Sequence, residues 1–267
     1  MLDLKGGLGV NRGLLTVLKI DWYGMAFIGF LKNILTSGDS SAKTSAEIQR
    51  RQHQRFDIND PSLCSLEHER LGLLKISNIS HFGCFVLSDK TELFQSLSFP
   101  FDGCLKLVGR KHKVQVTKAD KRSGGFGLTI RHGDVDSLQR MGSLIAPLRW
   151  GWSAIHVGDE QSATPRILRS KYRGEGPFDL VVEHDGQGHL SFLMATFLLP
   201  SGDYACVVWE GGRLLTKKTI DQSGVSARMS QTSDVDLELV ATCATACLAM
   251  KQPMGATCAK MLYSNMS

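Results

Sequence analysis

Residues 56–131 run as a series of short apolar segments, each cut off by turn-forming residues, and this limits the possible folds more than any other feature of the chain. The runs 71–76, 84–87, 105–108, 114–117 and 126–130 are of strand length and too short for stable helices. The connections between them are brief, which favours antiparallel neighbours and a small barrel. A change of period follows. Val135, Leu138, Met141, Leu144 and Ile145 recur at helical spacing, so 134–148 is expected as a helix, with Pro147 ending it or falling in its last turn.

Past Trp150 and Trp152 the composition turns polar, with Gly and Pro, and 151–177 is expected as a linker. The runs 178–183, 190–199, 204–209 and 213–219 read as strands, with Asp185-Gly186 and Ser201-Gly202 as tight turns. Residues 234–251 read as a helix with Val235, Leu237, Leu239, Val240 and Cys243 on its apolar side. The expected class is mainly β within α+β: a small antiparallel barrel with a following helix at 46–150, then a C-terminal antiparallel meander closed by one helix at 178–267.

A chain of 267 residues with 42% hydrophobic and 21% charged residues can build such cores. The net charge of +5, from 31 basic and 26 acidic side chains, favours an anionic partner only slightly. Seven cysteines with no Cys-x-x-Cys pair suggest neither a disulfide framework nor a metal site, and fit a reducing cytoplasm. Cys243 and Cys247 are expected as small apolar residues on a buried helix face. In the N-terminal segment 1–45, Lys19, Asp21 and Lys32 interrupt the apolar stretch 14–35. A membrane span needs about 20 nearly unbroken apolar residues. A short amphipathic helix near 25–35, packed on the protein or touching a membrane surface, is expected instead, and 36–45 reads as a linker.

The candidate binding residues lie at the start of the barrel. Arg51 and Arg55 are separated by three residues, with Arg50 just ahead. Guanidinium groups are permanently charged planar forks that grip phosphates and stack on bases. Twenty-three residues beyond Arg55 comes Asn78-Ile-Ser80-His-Phe-Gly83, which opens the run 84–87. Asn78 and Ser80 alternate on an extended strand end, so their side chains share a face, and both can bond a base edge or a phosphate oxygen. Gly83 leaves room for a ligand against the backbone. No nucleophile elbow, HExxH or paired-carboxylate pattern occurs, so no catalytic residue is assigned.

The order RxxxR, then roughly 20–30 residues, then (D/N)xSxxG opening a strand resembles the PilZ family. The segment LKLVGRKHKVQVTKADKRSGGFGLTI is similar to that family's later strands, and 134–148 to the helix that follows its barrel. The resemblance covers about residues 48–150. It implies a six-stranded barrel that binds cyclic di-GMP, with Arg51 and Arg55 on phosphates and guanine, and Asn78, Ser80 and Gly83 lining the other side. Arg50 is a candidate third contact outside the strict motif, and Asn78 stands where Asp is commoner. The implied protein is a non-enzymatic receptor, with no cofactor, acting through an unidentified protein partner on motility, biofilm, exopolysaccharide or virulence. The alternative is a ligand-independent adaptor of the same fold in pilus or secretion assembly.

Other signals are weaker. The basic stretch 105–131 lacks an aromatic stacking platform, which argues against nucleic acid. Residues 183–189, EHDGQGH, resemble a metal cluster but are better explained as a hairpin tip. Gly124-Gly125-Phe126-Gly127 is expected as a turn entering a strand rather than a phosphate loop.

Overall fold

The computed structural model describes residues 54–89, 91–162, 164–176, 178–219 and 235–266, all within the compact unit His53–Ser267. The expectations for 1–45, Arg50 and Arg51 lie outside the described residues. The first part forms β1 (Phe56–Asp57), β2 (Cys64–His68), β3 (Gly72–Ser80), β4 (Gly83–Leu87), β5 (Phe101–Leu107), β6 (Arg110–Arg122) and β7 (Gly125–Arg131), with a short helix α1 (Thr91–Gln95) between β4 and β5. The ladder β3-β2-β5-β6-β7-β4 closes on itself through a β3–β4 pairing, which makes a six-stranded antiparallel barrel, and β1 adds two residues along the outside of β3. β1 and β2 are additions to the strands expected from sequence.

Inward-facing Leu66, Ile76, Ile79, Val86, Leu105, Leu107 and Val116 are fully buried. Each such aliphatic side chain contributes about 1.5–3 kcal/mol on burial. Closing a small barrel requires strongly bent strands, and bulges supply the bends: one between Ile76 and Asn78 in β3, another between Val116 and Lys118 in β6. Phe94 of α1 stacks on Phe126 with ring centroids 4.0 Å apart.

Helix α2 (Val135–Trp152) starts at the Asp134 cap, whose carboxylate accepts the Ser137 N–H at 2.6 Å. It runs one turn beyond its expected end, through Pro147. Burial of Leu148 and Gly151 against the C-terminal helices sustains that turn.

The expected linker 151–177 needs correcting: it holds the last residues of α2, then β8 (Ile155–Gln161) and β9 (Leu168–Gly174). These continue into β10 (Phe178–His184), β11 (Leu190–Leu198), β12 (Tyr204–Glu210) and β13 (Arg213–Thr219), a sequential six-stranded antiparallel meander. β8 buries none of its side chains and β9 only Ser170 and Tyr172, so neither shows apolar alternation in the sequence. Backbone ladders join them to β10, and cross-strand ion pairs cover their exposed faces: Lys171–Glu160 at 2.6 Å, Arg173–Asp179 at 2.7 Å and Arg169–Glu183 at 2.5 Å. One face of the meander buries Phe178, Leu180, Val182, Leu193, Ala195, Phe197, Ala205 and Val207.

The single closing helix expected at 234–251 is a helical hairpin, α3 (Leu237–Leu248) and α4 (Pro253–Ser264). Close helix approach explains its small residues: a Cβ on Gly151 of α2 would overlap Ala246 O of α3, and one on Gly255 of α4 would overlap Cys247 O. No long polar connection separates the barrel from the meander, because α2, α3 and α4 serve both. Arg110, on the barrel, donates to Thr245 Oγ1 of α3 at 2.6 Å. Among the described residues no helix is long and apolar enough to cross a membrane.

Candidate ligand-binding face of the barrel

β1 is the element that places Arg55. Phe56 pairs with Ile79 and Asp57 with Asn78, antiparallel, so Arg55, one residue earlier, lies at the Ser80 end of β3. Its side chain is exposed. Burial pushes the Cys84 thiol up to about 12 while the positive charge of Arg55 pulls the other way, which places the guanidinium within electrostatic reach of the first residues of β4. The structure thus brings Arg55 together with Asn78, Ser80 and Gly83.

The turn between β3 and β4 is shaped by its own motif residues. Ser80 Oγ donates to Gly83 O at 3.1 Å, and Ser80 is only 6% exposed, so its hydroxyl serves the turn first. A Cβ on Gly83 would overlap Leu128 O of β7, which gives this glycine a packing reason independent of any ligand. The turn is pinned from below: Phe82 O accepts from Ile130 N at 2.9 Å, and His132 Nε2 lies 2.7 Å from His81 O, with the His132 ring edge-on to Phe82. Asn78 is half-buried on the outer barrel surface, opposite Phe85 of β4.

Beyond β1 the chain goes directly to the helices. Asn59 N donates to Leu248 O at 3.2 Å, the Asn59 side-chain amide donates to Met250 O, and Lys260 of α4 pairs with Asp60 at 3.0 Å. Burial works to raise the Asp60 carboxyl, but hydrogen bonds from Ser62 and Lys260 outweigh it and hold the group below the ordinary carboxylate value. The segment that follows Arg55 is therefore anchored to the helical hairpin.

The 183–189 segment is the β10–β11 turn. Asp185 accepts from Gln187 N at 2.8 Å and His189 N at 2.9 Å, with His189 Nδ1 at 2.9 Å from its second oxygen. The His189 contacts lead in holding its carboxyl down to about 2. Among the described residues no cluster of three or more His, Cys, Asp or Glu is arranged to hold a metal. Cys243 and Cys247 are free and fully buried; hydrogen bonding to Cys247, and then burial, push the Cys243 thiol up. In the basic stretch, Lys106 pairs with Glu67 and Lys118 with Asp120, both at 2.8 Å.

Phe85, Gly127 and Arg122 share the outer surface with the motif residues, yet motif reading named Gly127 only as part of a turn and did not join the three. They come together only through the β4–β7–β6 register, which spacing along the chain does not reveal. No family model, no curated protein and no solved structure matches this chain.

Proposed function

We propose that the chain is a cyclic di-GMP receptor of the PilZ type, without catalytic activity of its own. Arg50, Arg51 and Arg55 would grip phosphates and stack on guanine, while Asn78, Ser80 and Gly83 line the opposite side. The observation that carries this reading is the β1–β3 pairing, which sets Arg55 beside the Asn78–Gly83 turn on the outside of a closed six-stranded barrel. A guanidinium just ahead of one strand and a polar turn at the end of its neighbour suit a compact ligand with two phosphates and hydrogen-bonding bases.

The anchoring of Asn59 and Asp60 supports a route for output. Ligand that draws in the arginine segment works on residues whose next neighbours are bonded to α3 and α4. A shift there alters the helical hairpin, which is the two-state element that a downstream protein partner would read.

Titration calorimetry of the full chain with cyclic di-GMP is the test. Removal of one guanidinium–phosphate contact costs about 1.5–3 kcal/mol, roughly a ten- to hundredfold loss of affinity for Arg55→Ala. Equal affinity for wild type and Arg55→Ala would overturn the site. Absence of binding by the wild type would favour the second reading, a ligand-independent adaptor. One feature supports that alternative: the outer face of the meander carries a continuous apolar row in which Val181 pairs with Met194, Met194 with Val208 and Val208 with Leu215.

A further inference from the structure

Along the two central strands of the outer barrel face every outward pair lacks one of its two side chains. In each of the three outward-facing β4–β7 pairs one partner is glycine: Gly83 opposite Thr129, Phe85 opposite Gly127, and Leu87 opposite Gly125. The result is a shallow trough. Asn78 and Ser80 of β3 form one wall, and Lys118, Asp120 and Arg122 of β6 form the other.

The three glycines differ in why they are there. At Gly83 and Gly125 a Cβ would overlap the backbone carbonyls of Leu128 and Val86, so close strand approach accounts for both. Gly127 has no such reason. A Cβ there would meet Arg122 Nε at 3.4 Å and Asp120 O at 3.8 Å, and its φ is not in the left-handed region. A glycine that neither packing nor φ requires, in the middle of a strand, leaves room for a ligand to approach the backbone, besides easing the bend of a barrel strand.

What flanks Gly127 gives the chemistry. Phe85 is a half-buried aromatic ring on the outer surface, next to Asn78 on one side and Gly127 on the other. Arg122 folds back over Gly127 from the far wall, and among the described residues it makes no ion pair or hydrogen bond, in contrast to Lys118, which Asp120 holds. A hollow of about 380 Å³, lined by Ser88, Asp89, Lys121, Gly124 and Phe126, shares Arg122 and Gly125 with the trough.

We propose that this trough seats one guanine base of the ligand, stacked on Phe85 over Gly127, in the space that the exposed Arg122 side chain vacates as its guanidinium turns to donate to O6 and N7. The assignment rests on the cyclic di-GMP reading above and adds base selectivity to it. Guanine offers two adjacent acceptors on that edge, whereas adenine replaces one with an N–H donor that repels a guanidinium. Phe85 supplies a flat apolar face that either purine can use, so selectivity falls to Arg122.

The test is calorimetric titration of the full chain with cyclic di-GMP and with cyclic di-AMP, on wild type, Arg122→Ala, Phe85→Leu, Gly127→Val and Arg55→Ala. Arg122→Ala should weaken cyclic di-GMP binding by about tenfold or more and narrow its advantage over cyclic di-AMP. Gly127→Val should block the trough and abolish binding. Should Gly127→Val fail to fold, Arg122→Ala decides alone, since Arg122 is exposed and bonded to nothing described. If Arg122→Ala and Phe85→Leu bind as wild type while Arg55→Ala does not, the trough assignment is overturned and the receptor reading stands. If the wild type binds no cyclic di-GMP, both fall.

Discussion

The Arg110 guanidinium reaches from the barrel to Thr245 of α3, donating to its Oγ1 at 2.6 Å and to Leu144 O of α2 at 3.3 Å. Burial lowers the basicity of this side chain, and Glu238, at 3.3 Å, works against that effect. Its Nε is buried with no partner, so the charge is only partly compensated. Arg110→Ala should destabilise the protein by about 1–3 kcal/mol. Arg110→Met, which keeps the aliphatic bulk without the buried charge, should cost less. Urea unfolding of the two variants separates packing from polar contacts; equal losses would show that the hydrogen bonds, not the bulk, join the three elements.

Two glycines in α2 should respond oppositely to alanine. At Gly151 the added methyl would overlap Ala246 O, so α2 and α3 must part, costing about 1–3 kcal/mol or more. At Gly142 the nearest atom to a new Cβ is His81 Nε2 at 3.7 Å, an ordinary contact. Gly142→Ala should therefore stabilise by up to about 1 kcal/mol through helix propensity. Thermal melts of both variants check the pair.

Acid should weaken the barrel through His112. Burial, then the nearby His132 and Arg140, lowers its affinity for a proton in the folded state, and its Nε2 has no partner. In the unfolded chain it titrates near the ordinary value of about 6.5. Above that pH both states are neutral and the full stability is present. As pH falls from there towards the lower folded value, only the unfolded state takes up the proton, so stability is lost. The urea midpoint should drop across this window in the wild type, and His112→Leu should lessen the drop.

On the receptor reading proposed above, Gly83→Ala is expected to lose binding first through barrel packing. Its methyl would overlap Leu128 O and disturb the β4–β7 pairing. A lowered melting temperature with loss of cyclic di-GMP binding is the expected result. An unchanged melting temperature with lost binding would instead make Gly83 a direct contact.

Legibility followed burial. β3 to β7 of the barrel and β10 to β12 bury apolar residues at alternate positions in runs of strand length, and their sequences show it. β8 and β9 carry charged pairs on exposed faces, so Lys171 and Glu160 carry information that apolar periodicity misses. α4 packs through Gly255, Cys258, Ala259 and Leu262, and with three of the four this small it forms no recognisable apolar stripe. Around the candidate site, Arg55, Asn78, Ser80 and Gly83 were legible because the segment entering β1 and the β3–β4 hairpin carry them in motif order. Arg122 and Phe85 are 37 positions apart and meet the same glycine only after the barrel has closed.

The bulge in β3 has a consequence for which residues meet solvent. Leu74 and Ile76 point into the barrel, and an unbroken zigzag would send Asn78 in after them and Ile79 out. Ser77, matched to no residue of β4, resets the parity. Were that serine paired in a regular, unbulged ladder, the strand would bury its amide and bare its isoleucine, inverting the surface from polar to greasy without altering a single motif letter.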